Sequence, residues 1–175
     1  AQTSVTSIDP IAVDRLLISD PNTGVVLVRK DNGVDWHIPE YHGLPADGGR
    51  IQQILEQLPA LSRGYPATTS TSAHDRFEVS SENFQRHVQY FGNEQKLAEL
   101  YLGTSPGFRK VHLRVSQETP VYSVEFNSFD APASAAEWLD TGLLQITEID
   151  SIEGLDYRIH KQDQLWLSDY LQAAE

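Results

Sequence analysis

Six histidines and 25 acidic residues supply the groups from which a reactive site could be built. Their spacing decides whether they can be used together. His37, Glu40 and His42 flank one short loop, but His37-x2-Glu40-x-His42 has no helical spacing and matches no ligand pattern of a known metal site. We read these as polar groups of a loop and a strand edge, and His74-Asp75 beside Glu78 in the same way. No Gly-x-Ser-x-Gly elbow is present to place a serine nucleophile. Gly48-Gly49 lacks the Lys-Ser/Thr that a phosphate-binding loop requires. The sequence therefore assigns no catalytic residue, no cofactor and no metal. Paired carboxylates for glycoside cleavage leave no linear trace, so that class stays open.

Two sets of residues have binding potential. From Arg109 to Ser116 the chain alternates, with Val111, Leu113 and Val115 on one face of a strand. Lys110, His112 and Arg114 then form a basic row on the other face, with Arg109 nearby. Such a row on an acidic protein is a candidate docking face for an acidic patch of a partner. The competing account has these residues paired with the protein's own carboxylates or covered by another element. Tyr41, Tyr65 and Tyr90 are either sugar-stacking platforms or anchors at the edge of the core.

The elements that must position these groups centre on residues 24–61. The spacing predicts strands over 13–19, 25–30 and 34–38. Asn32-Gly33 is a strong hairpin signal between the last two. Val34, Trp36 and Ile38 are expected to share the core face. Asp47 is a candidate N-cap for a helix with Ile51, Ile54, Leu55 and Leu58 at i, i+3, i+4 and i+7. Pro59 is expected to stop it. An irregular stretch or poor edge strand follows over 63–72, then one helical turn over 73–79. A meander comes next, with strands at 86–91, 96–102, 109–116 and 121–126. A short helix carrying Trp138 leads to a strand over 143–152 and a hairpin over 155–167. That hairpin places Trp166 where Trp36 stands in the first, and we expect it to begin a second repeat. The expected class is α+β: antiparallel hairpins and a meander with one main amphipathic helix packed on the sheet. Residues 1–140 form the first module, and residues 141–175 the start of a second, truncated one packed on it.

Composition bounds the partners. The chain has 175 residues and a formal net charge of −12. That argues against nucleic acid and an anionic membrane surface as direct partners. It contains no cysteine, which excludes disulfides and Cys-based zinc sites. It contains no methionine either, not even at position 1. An upstream segment, carrying any signal or membrane anchor, is expected to have been removed.

The order of elements resembles one uncharacterised bacterial family. The resemblance lies in Ile8-Asp9-Pro10, Val13-Asp14-Arg15-Leu16, the hairpin ending in Trp36 and Ala46-Asp47 opening the helix. It continues through Leu100-Tyr101-Leu102-Gly103-Thr104, Val121-Tyr122-Ser123-Val124, and Trp138-Leu139-Asp140 before Leu143-Leu144. The family is the domain of unknown function 4340, associated with gliding-motility-type ABC transporters of the cell envelope. The resemblance implies repeated α+β modules outside the cytoplasm behind an N-terminal membrane anchor, with no catalytic residues to carry over. It implies a non-enzymatic, periplasmic binding or scaffold domain whose partners are envelope proteins of a transporter-like complex. The alternative is an envelope carbohydrate-binding or hydrolase domain using carboxylates and aromatics.

Overall fold

The structure, a computed structural model, describes residues 3–31, 33–144, 149–155, 157–163 and 165–170. The chain divides into two units, Ala1–Asp140 and Thr141–Glu175. The first unit is α+β. It runs through β1 (Thr3–Ser4), β2 (Arg15–Ser19), β3 (Gly24–Arg29), β4 (Trp36–Ile38) and β5 (Leu44–Pro45) to a helical segment α1 (48–60). It continues with β6 (Ser62–Arg63), β7 (Pro66–Thr68), β8 (Arg86–Gly92), β9 (Gln95–Leu102), β10 (Lys110–Val115) and β11 (Val121–Glu125). Nine strands form one antiparallel sheet in the order β5-β4-β3-β2-β8-β9-β10-β11-β7, and β1 pairs with β6 separately. Among the described residues no helix is long and apolar enough to cross a membrane.

Strand alternation sends Leu16, Ile18, Val25, Leu27, Trp36, Val88, Leu100 and Leu113 to the inner face. There they share one buried cluster with Ile51, Ile54, Leu55 and Leu58 of α1. Trp36 is 5% exposed, in the place its sequence neighbours predict. Val34 is not: it precedes β4 and is exposed, because the strand begins only at Trp36. Gly33 takes a positive φ in the turn after β3, while Asn32 lies outside the described residues.

Asp47 caps α1 by accepting from the Arg50 N–H at 3.1 Å. The helix ends at Ala60, one residue past the proline expected to stop it. Pro59 lies inside the last turn, Leu58–Ala60, and alters the turn before it, Gln53–Gln57, which is a π-helix. A proline has no N–H to give and its ring crowds the carbonyl four residues back, so the helix widens. The Leu58 N–H bonds the Gln53 carbonyl. Pro59 has no hydrogen for the carbonyl of Ile54, and the buried Tyr90 hydroxyl from β8 supplies it at 2.7 Å. Burial pushes the Tyr90 phenol well above its ordinary pKa, so it remains a donor.

The outer face of the sheet is covered where β8 to β11 meet the segment 71–84. Phe77, Val79 and Phe84 pack there with Tyr101 and Val121. Gly103 permits the close approach of this segment, because a Cβ would strike the backbone carbonyls of Phe77 and Glu78.

In the second unit, Thr141–Leu144 is a 3-10 helix rather than the start of the expected strand, and 145–148 lie outside the described residues. Strands β12 (Ser151–Glu153), β13 (Tyr157–Gln162) and β14 (Leu165–Tyr170) form an antiparallel meander. Its register parallels that of β2-β3-β4. Leu16 pairs with Leu27 and Arg29 with Trp36 in the first unit. Ile152 pairs with Ile159 and Lys161 with Trp166 in the second. The Arg29 N–H donates to the Asp14 carbonyl at 2.8 Å, and the Lys161 N–H to that of Asp150 at 2.8 Å. The two meanders differ in burial: Trp166 is 48% exposed.

Candidate functional site

The basic row divides in the structure. Lys110 is exposed at the start of β10, whereas His112 and Arg114 are each 8% exposed. The alternation along β10 is as the sequence indicates, but its second face is not open to solvent. The Phe77 ring lies 4.4 Å from the His112 ring, and Thr104 Oγ1 is 2.9 Å from His112 Nδ1. Arg114 Nε donates to the Val79 carbonyl at 2.7 Å. Lys110, His112 and Arg114 therefore do not present one continuous exposed row.

Lys110 instead belongs to a cleft of about 630 Å³, within the size range of ligand sites. One wall is the loop before β10. The Lys110 N–H donates to the Gly107 carbonyl at 3.1 Å, closing a turn with Phe108 and Arg109 at its tip. Ser105 Oγ lies 2.8 Å from the Gly107 carbonyl and 2.7 Å from that of Lys110, and its one proton holds the loop by serving either acceptor. Arg109 has a left-handed backbone, φ 53°, where glycine or asparagine is usual. A side chain held in that region costs about 1–3 kcal/mol, and such outliers cluster at functional sites. The other wall is the short helix Ser128–Asp130 after β11, capped by Asn127 Oδ1 accepting from the Phe129 N–H at 3.2 Å.

Both walls end in exposed phenylalanines. Phe108 is 89% exposed and Phe129 79%. The Arg109 guanidinium lies 5.5 Å from the Phe108 ring centre. Gln85 and Asn127 add amide donors and acceptors to the lining, and among the described residues no carboxylate lines it. Glu125 and Asp130 line an adjoining hollow of about 360 Å³ that shares Arg109. The cleft thus offers three phenylalanine rings (exposed Phe108 and Phe129, and half-buried Phe126), two cations and two amides. Such groups are suited to binding and orienting a ligand; Ser105, a hydroxyl in the lining, is engaged in holding its own loop.

The other sequence candidates lie elsewhere. Tyr90 is buried under α1 and Tyr41 packs against the core, while Tyr65 is 98% exposed. His37, Glu40 and His42 surround the turn after β4, and His74 Nε2 sits 2.8 Å from the Thr119 carbonyl. Among the described residues, no three His, Cys, Asp or Glu side chains come together as metal ligands. Sequence reasoning named Arg109 beside the basic row but missed Phe108 and Phe129. The available signal was Gly107-Phe108-Arg109-Lys110 directly after Pro106: a bulky apolar side chain in turn chemistry.

No curated protein and no solved structure matches the chain. One family does, over residues 36–171, which is most of the chain. The protein belongs to the family described as domain of unknown function (DUF4340).

Proposed function

We propose that this domain is a non-enzymatic binding module of the bacterial cell envelope, auxiliary to an ABC-transporter-like membrane complex, with the Phe108–Phe129 cleft as its working surface. The observation that carries the binding role is the pair of exposed phenylalanines flanking Arg109 and Lys110. Large apolar side chains grouped at a surface favour a partner, and aromatics with arginine dominate interface energetics. The overall charge is −12, so local cations stand out against it and would select an acidic partner surface. The envelope location and the transporter partner rest on the family resemblance and its expected upstream anchor.

The test is recovery of the membrane complex with the purified domain, comparing the wild type with Phe108→Ala/Phe129→Ala and with Lys110→Glu. Both variants change exposed residues, so folding should be retained. Recovery should fall at least tenfold in each and should weaken as salt rises. Equal recovery by folded variants would remove the cleft from the proposal. A carbohydrate-binding reading draws on the same rings, since sugars stack on aromatic faces. It predicts binding of envelope glycans that salt leaves unchanged.

The second unit is, on this reading, the opening meander of another copy of the module. The shared register of Arg29–Trp36 and Lys161–Trp166 supports it, as does the matching bond to the Asp14 and Asp150 carbonyls.

A further inference from the structure

We propose that the outer face of the sheet carries a carboxylate-binding pocket built on Arg114, away from the cleft and at the opposite end of β10. A hollow of about 410 Å³ opens there between segment 71–81, strands β9 and β10, and the turn over 116–119. Arg114 lines it and is more than nine-tenths buried. Its guanidinium rests over the Tyr101 ring at 4.7 Å. Nε donates to the Val79 carbonyl at 2.7 Å and Nη1 to the Glu118 carbonyl at 3.3 Å. Both acceptors are neutral. Among the described residues, no carboxylate forms an ion pair with Arg114.

Two carboxylates do line the hollow, and both are engaged by other cations or donors. Glu99 is held by Lys96 Nζ at 3.0 Å and by His87 Nε2 at 2.7 Å. Glu118 is gripped by both Nη atoms of Arg63, at 2.7 and 3.1 Å. Arg114 has no carboxylate within ion-pair distance, and Glu99 acts on it only through space. A buried cation without a counter-charge is costly, and a ligand anion relieves that cost. The planar guanidinium fork matches a carboxylate. Because Glu99 and Glu118 already line the wall, a singly charged group suits the pocket better than a doubly charged phosphate. The hydroxyls of Thr71 and Ser81 can donate to it. Burial also pulls the Arg114 pKa below its ordinary value, although Tyr101 and Glu99 act through space in the opposite direction.

The experiment is NMR titration of the whole chain, following the Arg114 Nε–H signal. The probes are sodium acetate, acetyl-dialanine with a free C-terminus, its amide, and sodium chloride at matched ionic strength. Acetate should give a saturable shift and chloride none. Tighter binding of the free-ended peptide than of acetate, with no binding of its amide, would identify a chain end as the ligand source. Equal binding of acetate and the peptide would identify a small free acid. Arg114→Gln, followed through the backbone amides of Gln117 and Thr119 in the lining, should abolish the saturable acetate shift. Ser81→Glu, at an exposed position, tests the pocket without removing a buried group. It places a carboxylate at the rim and should weaken acetate at least tenfold. Identical, unsaturable shifts with acetate and chloride would overturn the proposal, as would wild-type acetate affinity in folded Ser81→Glu.

Discussion

Replacing Tyr90 with phenylalanine removes one oxygen from a fully buried ring and leaves the packing volume almost unchanged. That oxygen is the donor to the Ile54 carbonyl. In the π-turn the Leu58 N–H is already bonded to Gln53, and Pro59 has none. A buried carbonyl left without a donor costs about 1–3 kcal/mol. For a chain of this size each kcal/mol lowers Tm by about 2–4 °C, so Tyr90→Phe should melt about 2–12 °C lower. The reasoning makes a second demand. Pro59→Ala restores an N–H near the same carbonyl, so in that background Tyr90→Phe should cost less than about 1 kcal/mol. Thermal and urea unfolding of the four proteins in this cycle provide the assay. A Tyr90→Phe cost that is negligible, or one identical with and without Pro59, would refute the link between the π-turn and the hydroxyl.

Three further outcomes follow from the same structure. Burial holds the His87 pKa below its ordinary 6.5 despite the Glu99 contact. The unfolded chain therefore protonates first, and stability should fall as pH drops below about 6.5. Glu99 adds to this at lower pH. Burial pulls its pKa up, but bonds from Lys96, His87 and Ser116 outweigh that and bring it below 4.5, so its contribution is lost as pH falls through the lowered value. Melting curves from pH 7.5 to about 2.5 should show both phases, and His87→Gln should flatten the upper one. Gly103→Ala should cost at least about 2 kcal/mol in urea unfolding because backbone blocks the added methyl, whereas Gly107→Ala, with open space around it, should be nearly neutral. Arg109→Gly should stabilise the fold by about 0.5–1 kcal/mol by relieving a left-handed backbone while weakening partner recovery; a loss of stability would mean that the turn is unstrained.

Much of the fold could be read from residue patterns because its determinants are local. Alternation placed the strands of the large sheet, i, i+3, i+4 spacing placed α1 on it, and Asp47 marked the helix start. The errors have non-local causes. Pro59 was read as a stop, and the helix runs one residue past it to Ala60; what the sequence could not show is that a hydroxyl 31 positions downstream, on Tyr90, serves a carbonyl of the widened turn before it. Alternation correctly put His112 and Arg114 opposite Val111 and Leu113. It could not show that an irregular segment, 71–84, would cover that second face. Phe108 and Phe129 escaped notice because apolar residues in turns carry no periodicity, and their exposure emerges only when the two loops come together.

The central claim is that the cleft, rather than any exposed aromatic, meets the partner. Tyr65 provides the control, since it is even more exposed than Phe108 and does not line the cleft. A photo-crosslinking phenylalanine analogue placed at Phe108, and separately at Tyr65, in cells producing the native protein tests the claim directly. The account predicts a discrete adduct with a membrane-complex protein from position 108, weakened by Lys110→Glu, and none from position 65. The same adducts from both positions, or none from position 108, would contradict it.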